Sequence, residues 1–84
     1  MESVYVVIFW VKQTPSILGS FVDETRARAC VHDERRRAEK LYNLPDFAEA
    51  PSADVDSVYC IRNRDDDAFV ILKVKHDNTQ KTEQ

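Results

Sequence analysis

Val4–Val11, with the sequence VYVVIFWV, is an unbroken apolar run of β-branched and aromatic residues. It is too short to cross a bilayer as a helix, and its composition favours a strand. Polar residues bound it on both sides, Glu2 and Ser3 before it and Lys12 after it. We therefore expect a strand that is buried on both faces and around which the rest of the chain is organised.

The remaining chain contains one helical segment and three further strand segments. Residues 17–22 predict a short strand that returns antiparallel to the first, and residues 24–42, without Gly or Pro, predict one long helix. Residues 57–62 and 68–75 predict two strands of a hairpin. The order β-β-α-β-β predicts an α+β fold, a four-stranded antiparallel sheet with one long helix packed on one face.

The length and composition indicate one small globular domain. Residues 1–76 are predicted to form it, with residues 46–56 as a connector, and residues 77–84 are predicted to be a polar, disordered tail. No basic segment or cleavage site precedes the first apolar run, and Cys30 and Cys60 form no CxxC pair. We therefore expect a reduced, cytoplasmic protein that does not enter a membrane.

Few residues have the spacing that catalysis, metal binding or cofactor binding needs. Gly19 is the only glycine, which argues against a phosphate-binding loop, and neither histidine stands in a nucleophile context. A zinc site from Cys30, His32, Cys60 and His76 is disfavoured, because Cys30 and His32 point in different directions from a helix. We expect no cofactor, no metal and no enzymatic activity.

One helix can cover only one face of the predicted sheet, so the second face needs another cover. We expect a second copy of the chain there, since twofold homo-oligomers are common; the alternative is that the connector and the tail fold over it. Smaller Val4, Val6 and Ile8 are expected to pack under the helix. The predicted dimer face consists of Tyr5, Phe9, Tyr59, Ile61, Phe69 and Ile71.

Acidic residues are concentrated in the second half of the chain. Between residues 46 and 67 there are seven Asp and Glu residues against Arg62 and Arg64. Such a surface can attract a basic partner, although solubility alone would also account for it. The predicted contact for a partner protein consists of Asp54, Asp56, Asp65, Asp66 and Asp67.

The predicted helix is rich in arginine, which raises nucleic-acid binding as the alternative function. A basic ridge binds phosphate backbones through charge neutralisation. Five acids, among them Asp33 and Glu39, share the helix and nearly balance its charge, which favours a solvated face. The residues that would bind RNA or DNA are Arg28, Arg35, Arg36, Arg37 and Lys40.

Two segments of the first half, Val4–Val7 (VYVV) and Ile17–Ala27 (ILGSFVDETRA), resemble a group of small uncharacterised phage and bacterial proteins. In that group a "vYvv" strand precedes a "GxF" strand end, a Ser/Asp cap and an Ala-containing helix. The resemblance implies no catalytic activity. In format the chain is similar to phage inhibitors of host defence, including anti-CRISPR proteins. We therefore expect a non-catalytic module that binds and inhibits a host protein or complex through its acidic surface.

Overall fold

The computed structural model describes residues 2–52 and 54–76 as one sheet and one helix. The elements in chain order are β1 Glu2–Val11, β2 Thr14–Phe21, α1 Glu24–Leu41, β3 Ala48–Glu49, β4 Ser57–Arg62 and β5 Ala68–His76. The strands form one antiparallel sheet in the order β2-β1-β5-β4-β3. The predicted α+β class and antiparallel sheet are confirmed.

The predicted number of four strands is wrong, because the sheet has five. The additional strand β3 lies within the predicted connector, where Ala48 and Glu49 pair with Arg62 and Ile61 of β4. A two-residue strand of this kind carries no detectable alternation in the sequence. The predicted disordered tail, residues 77–84, lies outside the described residues.

The hairpin β1–β2 turns through two residues. Lys12 and Gln13 both have positive φ, 51° and 68°, as a tight hairpin turn of the type I′ kind requires. The strand therefore resumes at Thr14, earlier than the predicted start at Ile17, and Pro15 pairs with Trp10. Proline is tolerated there because β2 is an edge strand, whose outer side needs no ladder N–H.

The helix α1 begins and ends at local signals. The Asp23 side chain caps it by accepting a hydrogen bond of 2.8 Å from the backbone N–H of Arg26. Beyond the last turn Asn43 has a φ of 57°, so the chain reverses and the Leu44 N–H donates to the Ala38 carbonyl. This reversal directs the following segment back over the sheet.

Aromatic rings fill the space between α1 and the sheet. The helix contributes small buried residues, Ala27, Val31 and Ala38, so the volume comes from the strands and the loop. Phe9 and Phe69 stack with ring centroids 4.2 Å apart, and the Phe47 ring lies 5.1 Å from that of Phe69. These contacts make the helix-covered face the core of the protein.

Because the helix-covered face is the core, the prediction that its residues form a dimer interface is wrong. The six predicted residues pack against α1 or its core partners, and three of them are fully or almost fully buried: Ile61, Phe69 and Ile71. Tyr5, Phe9 and Tyr59 are partly buried against the same core. The opposite alternating set, which was expected under the helix, faces away from it, because small helix residues leave room for large rings.

Strand pairing identifies the apolar face that has no helix. Residues directly opposite each other in an antiparallel pair project to the same side of the sheet. Ile8 pairs with both Val70 and Ile17. It stands on β1 between Val7 and Phe9, which belong to the core on the opposite side of the sheet. We call this surface the open face; it consists of Val4, Val6, Ile8, Trp10, Ile17, Val70, Leu72 and Val74.

Glu39 connects the last turn of α1 to the segment that carries Phe47. Its Oε2 accepts a hydrogen bond of 3.0 Å from the Phe47 N–H and one of 3.1 Å from the Arg35 Nε. The Phe47 hydrogen bond, and secondarily Arg35, lower the pKa of the Glu39 carboxyl, while its partial burial acts in the opposite direction. A lowered folded-state pKa means that the ionised carboxyl stabilises the fold.

The stabilisation by Glu39 is expected to depend on pH. It is fully present above the unfolded-state pKa of about 4.3 and is lost as the pH falls through the lower folded-state pKa. We expect Glu39→Gln to be less stable than the wild type at pH 7, with the difference shrinking toward pH 3, in urea unfolding at each pH. Glu34→Gln is the control, since Glu34 only meets the exposed Arg37 at 4.0 Å. If Glu39→Gln lowered the free energy of unfolding equally at pH 7 and pH 3, the stabilising role of the ionised Glu39 carboxyl would be contradicted.

Candidate functional site

The open face is an apolar surface that spans three neighbouring strands. Its outer members are exposed to solvent: Trp10 by 37%, Val74 by 43% and Ile17 by 73%. Its inner members Val4, Val6, Ile8, Val70 and Leu72 lie at intermediate or full burial. Contiguous apolar surface of this kind is typical of an interaction site.

The connector lies along one side of the open face. Ser52 and Asp54 line a groove together with Ile8, Trp10 and Leu72, so these two connector residues lie beside the open face. On the same side Cys60, Ala68 and Val70 form a small buried cluster. Part of the connector therefore lies against the second face, whereas the tail, which the alternative prediction also placed there, lies outside the described residues.

The five acids predicted as a partner contact do not form one patch. Asp54 and Asp66 line the groove, whereas Asp56 lies beside Lys73 and Lys75. Asp65 is exposed in the β4–β5 turn and does not line the groove. The structure thus brings together two of the five and separates the others.

Asp67 is buried and belongs to the structure of the β4–β5 turn. Its carboxylate accepts a hydrogen bond of 3.0 Å from the Asn63 Nδ2, and its backbone N–H donates to the Asn63 Oδ1 at 2.9 Å. The Asn63 Oδ1 also accepts from the Asp65 N–H at 3.0 Å. Including Asp67 in a partner contact is therefore wrong, because a buried carboxylate engaged inside a turn presents no surface.

The arginines of α1 are paired with acids on the same helix. Arg28 meets Glu24 at 2.9 Å, and its guanidinium lies 4.1 Å from the centroid of the Tyr59 ring. The other helix pairs are Arg26–Asp23, Arg35–Glu39, Arg36–Asp33 and Arg37–Glu34. Nucleic-acid binding by this helix stays a prediction, and it would require phosphates to compete with these acids.

The two thiols are poorly disposed to react. Burial raises the pKa of Cys60, although Arg62 acts in the opposite direction, and burial with the nearby acids Glu34 and Asp33 raises that of Cys30. Both therefore stay protonated at neutral pH, and the thiol is a weaker nucleophile than the thiolate. Among residues 2–52 and 54–76, no group of three or more His, Cys, Asp or Glu side chains could hold a metal ion.

Within the described part of the chain, no helix is long and apolar enough to cross a membrane. Comparison with family models, with curated proteins and with solved structures finds no match to this chain.

Sequence reasoning missed two features of the site. It recognised both alternating sets of β1 but exchanged their faces; the signal that could have corrected this was the small size of Ala27, Val31 and Ala38 on the helix. It also predicted the hairpin of residues 57–62 and 68–75 without identifying Asn63 as the residue that organises the turn between them. Asn at the first position, with backbone N–H groups two and four residues on, is the pattern of a side chain that organises its own turn.

Proposed function

We propose that this protein is a non-catalytic binding module that holds a protein partner on its open face. The observation that supports the proposal is the continuity of the apolar surface across β2, β1 and β5, with Ile17, Trp10 and Val74 exposed along it. Soluble proteins rarely leave such a surface without a partner. Large exposed side chains at its margin also suit an interface, where aromatic residues are enriched.

The edges of the sheet are less suited to a partner than its face. The outer strand β2 contains Pro15, and it bulges at Leu18, because Val7 pairs with Gly19 while Ile8 pairs with Ile17. The opposite edge strand β3 is only two residues long. Proline, bulges and short edge strands all oppose the addition of a further strand. Binding through the face is therefore favoured.

The narrower proposal is that the partner is a host protein or complex and that binding inhibits it. Its support is the resemblance of the first half of the chain to small phage and bacterial proteins. A second copy of the chain is the competing occupant of the open face. The predicted homodimer would therefore form through this face and not through the residues first predicted for it. Light scattering separates the two occupants, because only a homodimer forms without another protein.

Exposed positions on and off the open face provide a matched test. Ile17 and Val22 are both 73% exposed, but only Ile17 lies on the open face. We expect Ile17→Glu with Val74→Glu to reduce capture of host-lysate proteins by about tenfold or more, since a buried charge opposes binding. Val22→Glu with Leu41→Glu should capture as the wild type does, measured by quantitative mass spectrometry. Equal capture by both double variants would refute binding through this face.

A further inference from the structure

The groove at the border of the open face has an apolar floor and a polar rim. Its volume is about 310 Å³, and its floor consists of Ile8, Trp10, Ala68, Val70 and Leu72. The rim is formed by Asp54 and Ser52 from the connector, Arg62 and Asp66 from the β4–β5 hairpin, and Gln13 from the first turn. An apolar floor beneath a few polar groups is the usual build of a recognition pocket.

The size of the groove suits side chains of a peptide. A dry apolar cavity of about 150 Å³ accommodates a benzene molecule. A groove of about 310 Å³ therefore has room for one aromatic or large aliphatic side chain together with the stem of a neighbouring one. Pockets for drug-sized ligands run from about 300 to 1,000 Å³, so this groove lies at the lower end of that range.

The charge of the rim favours a cation. Arg62 is already engaged, because its guanidinium lies 3.3 Å from the Oδ1 of Asp66. The Oδ1 of Asp54 accepts the backbone N–H of Asp56 at 2.9 Å, and no Lys or Arg of residues 2–52 and 54–76 lies within ion-pair distance of it. Two carboxylates against one guanidinium leave the rim with a net negative charge.

The same charge argues against a second copy of the chain as the occupant. A twofold dimer places identical patches against each other, so Asp54 and Asp66 of both copies would be brought toward a shared interface. Like charges at an interface oppose association, whereas a basic segment complements the rim. The apolar floor would be used equally by both occupants, so the rim decides between them.

We infer that the groove binds a partner segment in which an aromatic or large aliphatic residue stands next to Lys or Arg. The apolar side chain lies on the floor between Trp10 and Val70, and the cation meets the carboxylates of Asp54 and Asp66. This inference rests on the proposed function, because it names the chemistry of the partner that the open face holds.

Selection from a random displayed peptide library on the immobilised full chain tests the inference. We expect enriched peptides to pair an apolar residue with Lys or Arg. Asp54→Asn with Asp66→Asn should weaken them by about tenfold, the loss expected for one charge-assisted hydrogen bond. Asn suits both sites, since it keeps an acceptor for the Asp56 N–H and tolerates the φ of 71° at residue 66. Asp46→Asn with Asp65→Asn removes the same charge away from the groove and should leave binding unchanged.

Other outcomes separate the inference from the function on which it rests. One such outcome is that the selected peptides lose binding to the variant Ile17→Glu with Val74→Glu and yet lack a basic residue, or bind the variant Asp54→Asn with Asp66→Asn as tightly as the wild type. Either result overturns the inference and leaves the proposed function standing. A library without any peptide that depends on the open face overturns both. If the wild type is a dimer at micromolar concentration and the variant Ile17→Glu with Val74→Glu is a monomer, the open face binds a second copy. That result overturns the inference.

Discussion

Replacing Phe69 by alanine is expected to reduce the free energy of unfolding by about 3–5 kcal/mol, the usual cost of deleting a fully buried phenylalanine ring. The Phe69 side chain is completely buried, stacked on Phe9 and in contact with Phe47. Natural domains of 84 residues have an unfolding free energy of about 4–13 kcal/mol. The variant should therefore lose a large share of the free energy of unfolding, measured at 25 °C by urea titration followed by circular dichroism.

Trp10→Ala is the matched control, because it removes a larger ring from the opposite side of the sheet. Trp10 is 37% exposed on the open face, so its loss should cost clearly less than the loss of Phe69. Phe69→Leu retains most of the buried volume and keeps the comparison measurable if Phe69→Ala does not fold. A cost for Trp10→Ala equal to or above that for Phe69→Ala would mean that the two faces are assigned the wrong way round.

Replacing Asn63 by alanine is expected to cost about 2–3 kcal/mol, because it leaves the buried Asp67 carboxylate without its hydrogen-bond donor. The Asn63 side chain also accepts the backbone N–H groups of Asp65 and Asp67, so the β4–β5 turn loses its organising group. The midpoint of urea unfolding measures the effect. The groove should be affected as well, since Asp66 lies in this turn.

Asp65→Ala provides the control for the turn, because the Asp65 side chain is exposed and the Asn63 contact uses only its backbone. Its cost should stay within about 0.5 kcal/mol, as for other surface replacements. Asp67→Ala in the Asn63→Ala background should cost less than in the wild type, since both partners of one hydrogen bond are then absent. An Asn63→Ala cost no larger than that of Asp65→Ala would contradict the structural role of this side chain.

Much of the fold could be predicted from the sequence because its signals are local. The apolar run Val4–Val11 and the Asp23 cap each specify one element or boundary. β3 could not be predicted in this way, since its two residues are held by pairing with β4 and not by their own composition. Strand formation of that kind depends on a neighbour that is distant in the chain.

The candidate site was less predictable because it depends on which side of the sheet the helix lies. Both alternating sets of β1 are apolar, so periodicity alone does not distinguish Val4 and Ile8 from Tyr5 and Phe9. Packing volume decides the side, and it is shared between the small residues of α1 and rings from β1, β5 and the Phe47 segment. The placement of Asp54 and Asp66 at the same groove likewise depends on the path of the connector beside β4.

Acrylamide quenching of Trp10 fluorescence tests most directly whether the open face is the binding surface. Trp10 is the only tryptophan of the chain, and it lies on the groove floor. In the free protein we predict strong quenching that does not change with protein concentration, and clear protection when a selected basic, apolar peptide is added. If acrylamide did not quench Trp10 in the free protein, or quenched it equally with and without bound peptide, binding through the open face would be contradicted.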